Sequence, residues 1–375
     1  MPSLIDLDNN ATTPVLRAVC DAMIEAMAPS IGNPSSSHRQ GQAARDLIET
    51  ARSDVAEMLT VNPDQIIFTS GATEGNDAVL RHHRAKVLLT TAGAHPSLIG
   101  GHTGRQRLIE VNRDGRIDLT NFEDALQEIG PCVVALAMVN GETGVVQPID
   151  EVCEIGKRYG ATILIDAAQA VGRLPRECFG IHSDYVTVSA HKMNGPKGVG
   201  CLIVGEDAEL PLLASGGGQE RGRRSGTENV PGIAGFGAAC RQRLETLEQD
   251  LQRMKELRDR FERQLEAGLP FARINSKQAD RAVTTTSLTT RGIDGMALAA
   301  RLDTKGIMCS QVSACSSGRP EPSAALMAMG LSEQDAFSTI RFSVSVQTTT
   351  DQIDEAAAVI AQEAQFLHGI MGGAA

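Results

Sequence analysis

Lys192 has the most reactive surroundings in the chain. It closes the run Val186-Thr187-Val188-Ser189-Ala190-His191-Lys192, and Met193-Asn194-Gly195-Pro196 then turns the chain away. The β-branched run predicts a strand, so the lysine stands at a strand end, partly withdrawn from water. Lost hydration disfavours the ammonium and leaves a neutral amine that can attack a carbonyl. A turn lysine taken alone is more often simply solvated. Two other stretches give this one company. Ile66-Ile67-Phe68-Thr69 runs into Ser70-Gly71-Ala72-Thr73-Glu74-Gly75-Asn76: a strand, a small-residue turn and a helix start. The free N–H groups of such a turn favour a phosphate, although an ordinary helix cap has the same appearance. Ile163-Leu164-Ile165-Asp166 puts a carboxylate at the end of an apolar strand, where it needs a cation or hydrogen-bond donors. A protonated pyridine nitrogen would serve, and so would a structural ion pair. Gln169, three residues on, could reach the same ring.

An amine for an aldehyde, a seat for a phosphate and a carboxylate for a pyridinium together predict pyridoxal phosphate, held as a Schiff base on Lys192. Ser189 and His191 flank the lysine as further phosphate donors. His95, in Thr91-Ala92-Gly93-Ala94-His95-Pro96, follows a strand and could stack on the ring and move protons, or be a plain surface histidine. Arg341 lies inside Ile340-Arg341-Phe342-Ser343, and a half-buried arginine suits a substrate carboxylate. Cys315 has small polar neighbours, Ser313-Ala314-Cys315-Ser316-Ser317-Gly318, which predict an accessible loop. An unpaired accessible thiol is a nucleophile, or an incidental loop cysteine.

The elements that must position these groups read as alternating strands and helices. Helical spacing covers roughly 15–28, 39–60 and 150–159. Apolar runs at 66–69, 87–90, 132–137, 163–166, 185–188 and 200–204 lack alternation, as strands buried on both faces do. The fold expected is α/β: a large cofactor-binding domain over 15–250, with a mainly parallel sheet flanked by helices. A smaller α+β domain over 1–14 and 251–375 is expected to carry the Cys315 loop. A long polar helix at 234–267 is expected to bridge them, and a last helix spans about 351–367.

The 375 residues are 42% hydrophobic and 22% charged, with a net charge of −11, which argues against nucleic-acid binding. No apolar run reaches the ~20 residues of a membrane span. Met1-Pro2-Ser3-Leu4-Ile5-Asp6 lacks a signal-peptide layout, so the cytoplasm is the expected location. The eight cysteines form no CxxC pair, so reduced thiols are expected and a resident metal is not.

The chain resembles the cysteine desulfurases of the class-V aminotransferase group. The likeness rests on Leu7-Asp8-Asn9-Asn10-Ala11-Thr12-Thr13-Pro14, Gly32-Asn33-Pro34-Ser35-Ser36, Phe68-Thr69-Ser70-Gly71-Ala72-Thr73-Glu74, Gly144-Val145-Val146-Gln147 and Asp166-Ala167-Ala168-Gln169. It continues through His191-Lys192-Met193-Asn194-Gly195-Pro196-Lys197-Gly198, Arg224-Ser225-Gly226-Thr227-Glu228-Asn229, Ser313-Ala314-Cys315 and Ile340-Arg341-Phe342-Ser343, in family order. The resemblance implies that Lys192 carries the cofactor, Asp166 pairs the pyridine nitrogen and Gln169 bonds the phenolic oxygen. Ala72, Thr73, Ser189, Ala190 and His191 would hold the phosphate, with Thr227 supplied from the other subunit of a homodimer. His95 would stack on the ring, Arg341 and Asn10 would bind the substrate, and Cys315 would receive sulfur from L-cysteine. From Cys315 sulfur would pass to an acceptor such as an iron–sulfur scaffold, and Cys315 could transiently ligate a cluster. The sequence departs from the family at Gly141, where an asparagine is usual, at Met138, at Ala190, at Gln311-Val312 and at Val346. A selenocysteine lyase, another class-V enzyme, or a non-catalytic paralogue binding a sulfur carrier are the alternatives.

Overall fold

The computed structural model describes residues 4–28, 30–179, 183–311 and 321–371. In chain order the strands are β1 (Ile5–Asp6), β2 (Ile66–Thr69), β3 (Leu88–Thr91), β4 (Gln106–Ile109), β5 (Val133–Ala137), β6 (Thr162–Asp166) and β7 (Tyr185–Ser189). They continue as β8 (Gly200–Val204), β9 (Ala272–Ile274), β10 (Thr285–Thr290), β11 (Ile307–Met308), β12 (Ser310–Gln311) and β13 (Thr339–Ser343). Seven strands form one sheet in the order β2-β8-β7-β6-β5-β3-β4. The neighbours from β7 to β4 are parallel, and β8 runs antiparallel to both β7 and β2. Helices cover the sheet, and every residue of β2, β7 and β8 is buried. This is the expected α/β architecture. Burial on both faces explains the apolar runs without alternation.

A second, antiparallel sheet has the order β12-β13-β10-β9, and β1 pairs in parallel with β11. Asp8 bridges to Ser343, and the amide of Asn10 donates to Ser343 Oγ at 2.8 Å. The N-terminal stretch is therefore laid against β13, the strand that carries Arg341.

The long helix runs Val230–Gly268, starting four residues before the expected 234. Val230-Pro231-Gly232 looks like a helix breaker in sequence. Proline is tolerated in a first turn, and the Asn229 side chain accepts from Gly232 N. The first part of this helix is buried, not polar all round: Gly235 lies against Met23, and Gly237 against the Ala51 backbone of the helix Arg39–Leu59. Its last turns meet the final helix, Thr350–Met371, through Arg260 and Asp354 at 2.6 Å. No helix among the described residues is long and apolar enough to cross a membrane.

Candidate active site

Strand β7 ends at Ser189, and Ala190–Lys192 makes one 3-10 turn. The turn delivers Lys192 beneath the N-terminal stretch, where Nζ donates to Asn10 O at 2.5 Å and Ala11 O at 2.9 Å. Thr13 N donates to His191 O and Asn194 N to Thr13 Oγ1, which ties the two segments together. Burial lowers the Lys192 pKa to about 8; the nearby Arg173 and Arg341 guanidinium groups add to this, and Asp166 and Asp8 oppose it.

Asp166 ends β6 and is 7% exposed. Its Oδ1 accepts from Ala168 N at 2.9 Å and its Oδ2 from Asn76 Nδ2 at 3.0 Å. Among the described residues no cationic side chain lies at ion-pair distance from it. Asn76 also donates to Ser97 Oγ and accepts from Thr187 Oγ1, and Ser97 Oγ lies 2.7 Å from His95 Nδ1. Ser97 N also donates to Nδ1, which makes that nitrogen the acceptor and leaves the neutral ring's proton on Nε2. One hydrogen-bonded chain thus runs from Asp166 to the exposed His95.

Gln169 Nε2 donates to Asn10 O at 2.9 Å, and its Oε1 accepts from Arg173. Asn10 is a hub: its Nδ2 donates to Gly141 O and Thr285 Oγ1, and its Oδ1 accepts from Arg173. The Arg341 fork donates to Gly141 O at 3.1 Å and to Asp8 Oδ1 at 2.8 Å, while its buried Nε has no partner among the described residues. Beside it, burial pushes the Glu142 carboxyl up to about 7, against the donated bond of Ser323 Oγ and the pull of Arg341.

The turn expected to seat a phosphate lies where β2 meets the helix Ala72–His82. Ala72 N donates to Ser189 Oγ at 2.9 Å. Two glycines let the pieces approach. A Cβ on Gly75 would fall 2.8 Å from Thr187 Cγ2, and one on Gly200 would fall 2.7 Å from the Gly71 Cα. Thr73 is exposed at the helix start. Burial, followed by Lys192, Lys197 and Arg173, lowers the His191 pKa to about 4, and its Nδ1 lies 3.1 Å from Thr12 Oγ1. Ala190 is fully buried, and its amide donates to Val199 O. The segment 216–229, rich in glycine and arginine, is anchored at two points. Glu220 pairs with Arg52 at 2.8 Å and accepts from Phe68 N, and Arg224 pairs with Glu74 at 2.9 Å. Glu220 and Arg221 both take left-handed backbone (φ 44° and 57°), costing about 1–3 kcal/mol each; the buried fork of Arg52 holds Glu220, and Arg221 pairs with Asp64 at 2.6 Å. Thr227 is exposed beyond this anchor.

The structure therefore gathers Lys192, Asp166, Gln169, Asn10 and Arg341 into one cluster, with Ser189 and Ala72 joined at its side. His95 is tied to it through Ser97 and Asn76. Cys315 lies outside the described residues. The sequence alone did not point to Asn76, Ser97, Arg173, Asp8 or Glu142. Asn76 left a signal, since it is a polar residue on the face Ala72, Gly75, Asn76, Val79 that packs on the sheet.

The donor set fits pyridoxal phosphate. Asp166 is a buried carboxylate without a cation, and it retains lone pairs for a pyridinium N–H. Lys192 is an amine biased toward neutrality. The turn at Gly71 is open: a Cβ added there would meet only Ser189 Oγ, at 3.4 Å.

A lysine just past the end of a strand in a mainly parallel sheet, within the field of a buried aspartate, marks a class of pyridoxal-phosphate enzyme. The sequence profile of the aminotransferase class-V family matches residues 5–356. A cysteine desulfurase from Trichormus azollae is 37% identical over 98% of this chain and 94% of its own length. The cysteine desulfurase IscS of an Anaeromyxobacter species is 36% identical over 97% and 93%. The solved structure of a NifS-like protein from Rickettsia africae superposes with a TM-score of 0.88 at 33% identity, covering 97% of this chain and 99% of that one. The chain belongs to the class-V aminotransferase family and, within it, to the cysteine desulfurases.

Proposed function

We propose that the protein converts L-cysteine to L-alanine with pyridoxal phosphate and leaves the sulfur on Cys315. The observation that carries this reading is the pairing of a desolvated Lys192 with a buried, cation-free Asp166. Bound there, pyridoxal phosphate supplies an aldehyde for amines and an electron-withdrawing ring. Lys192 Nζ holds the cofactor, then takes the proton from the substrate Cα. Asp166 keeps the proton on the ring nitrogen, Gln169 donates to the phenolic oxygen, and His95 covers the ring. Ser189, Thr73, His191 and the amide at Ala72 hold the phosphate, completed by Thr227 from the second subunit of a homodimer. Arg341 receives the substrate carboxylate, and Asn10 sets the frame around it. The Cys315 thiolate forms an S–S bond to the substrate sulfur as the C–S bond breaks. L-cysteine plus the Cys315 thiol thus becomes L-alanine plus the Cys315 persulfide, and the sulfur passes to an acceptor protein such as an iron–sulfur scaffold. Residues 15–250 act as the cofactor-binding domain, and 1–14 with 251–375 as the smaller one. The seven described cysteines, all unpaired, suit a reducing compartment, and we assign the protein to the cytoplasm.

The test is direct. Protein purified with pyridoxal phosphate is expected to be coloured and to release equal amounts of alanine and acceptor-bound sulfur from cysteine. A colourless protein, or alanine without sulfur transfer, would refute the reading.

A second expectation follows from Lys192. Only the neutral amine adds to an aldehyde, so cofactor uptake by the apo-protein should accelerate as pH rises through about 8. Mixing the apo-protein with pyridoxal phosphate from about pH 6 to about pH 10, and following the visible absorbance, measures the midpoint. A midpoint near ~10.4, the ordinary lysine value, would show that the site leaves the amine unperturbed.

A further inference from the structure

Among the described residues, five arginines are buried: Arg52, Arg173, Arg243, Arg258 and Arg281. Four of them have a carboxylate partner, namely Glu220, Asp250, Asp259 and Glu262. Arg173 has none among the described residues. Its Nη1 donates to Asn10 Oδ1 at 2.6 Å and to Gln169 Oε1, and its Nη2 donates to Asn9 O at 2.8 Å and Lys192 O at 3.0 Å. All four acceptors are neutral oxygens. Burial makes its charge costly, and the neighbouring cations Arg341, Arg243 and Lys192 make it costlier still. A buried charge without a counterion is strongly unfavourable, so its place here calls for a use.

The contact with Gln169 supplies a use. An amide can be placed either way round, and its orientation follows from its partners. Arg173 can only donate, so Gln169 must turn Oε1 toward it and Nε2 away. One hydrogen of Nε2 goes to Asn10 O, and the other is left for the site. Position 141 faces the same amide: a Cβ there would lie 3.5 Å from Gln169 Nε2, but glycine offers nothing in its place.

We propose that Arg173 is a positioning residue: it locks the Gln169 amide with its nitrogen toward the cofactor's phenolic oxygen and lends that oxygen positive potential where Gly141 supplies no donor. This rests on the function proposed above, and the two fail differently in one experiment. The holoenzyme is titrated with base while its visible absorbance is followed. Positive potential beside the phenolic oxygen favours the deprotonated chromophore, so its removal must raise the midpoint. Arg173→Met, which keeps the length and removes the charge, is expected to raise it by about one pH unit, a tenfold change in proton affinity. Arg173→Lys keeps the charge without the fork, so a smaller rise is expected. A Cβ at position 141 meets Gln169 only at ordinary contact distance and an asparagine amide supplies a donor, so Gly141→Asn in the Arg173→Met background is expected to bring the midpoint back. A merely structural arginine would change the melting temperature and leave the midpoint alone. A wild-type protein with no visible band overturns the function; a wild-type band with an unmoved midpoint in Arg173→Met, or in Arg173→Lys if the former does not fold, overturns the role of Arg173.

Discussion

Lys192→Ala is expected to abolish turnover and covalent retention of the cofactor while leaving the fold intact. The lysine has two tasks in the proposed reaction, holding the cofactor and moving the Cα proton. The second alone accounts for a loss of up to about 10⁴-fold. The stability expectation follows from linkage. Folding depresses the Lys192 pKa to about 8, so the contribution tied to its neutral form is present at high pH and is lost as pH falls through about 8. At neutral pH the folded protein carries an ammonium it would rather not hold. Removing it gives up the bonds to Asn10 O and Ala11 O, but also this burden, and the melting temperature should change little. Lys192→Arg is the control. It keeps a cation near the same carbonyls but has no neutral amine, so it should also be inactive. Denaturing the wild-type protein after borohydride reduction should leave the chromophore attached, and denaturing reduced Lys192→Ala should not. Attachment in the alanine variant would place the cofactor on another residue.

Much of the frame that carries this lysine could be read from the chain, because its signals are local. Strands β2, β7 and β8 are buried along their whole length, and a buried strand advertises itself as an unbroken apolar run. Lys192 and Asp166 were legible for the same reason: each is a polar residue closing such a run. Strand β4 was not legible. It is the sheet edge, and Gln-Arg-Leu-Ile with two exposed positions carries no comparable signal. The partners of the site were hidden by distance along the chain. Asn76 meets Asp166 across 90 residues, Asn10 meets Arg173 across 163, and Asp8 meets Arg341 across 333. Nothing in the spacing of one stretch can announce such a pair. The neutral oxygens around Arg173 come from three separate segments, so its missing carboxylate became visible only when those segments were folded together.

Cys315→Ser is expected to keep the colour and the melting temperature of the wild-type protein while cysteine-dependent alanine formation falls by at least about a thousandfold. A serine hydroxyl is not ionised near neutral pH and cannot take sulfur from the substrate as a thiolate does. Cys315 is outside the described residues, but both flanks of its segment meet the site. Ser310 pairs with Arg341 between β12 and β13, and its Oγ donates to Asp8 Oδ1 at 2.7 Å. On the far side Ser323 donates to Glu142 and caps the helix Ala324–Ala328. The described chain thus ends beside Arg341, the proposed substrate-carboxylate clamp, and resumes beside Glu142, its neighbour. Six of the other seven thiols make poor substitutes. Burial raises the pKa of Cys132 to about 11 and of Cys153 and Cys309 to about 12, and it also raises Cys178, Cys201 and Cys240. Cys309 is the instructive control, because Asp8 and Arg341 both act on it and it is therefore near the clamp. A thiol held that far from ionisation is a weak nucleophile, so Cys309→Ser should retain turnover close to wild type. The reverse pattern, with activity surviving in Cys315→Ser and lost in Cys309→Ser, would move the sulfur to Cys309, between β11 and β12, and overturn the assignment of Cys315.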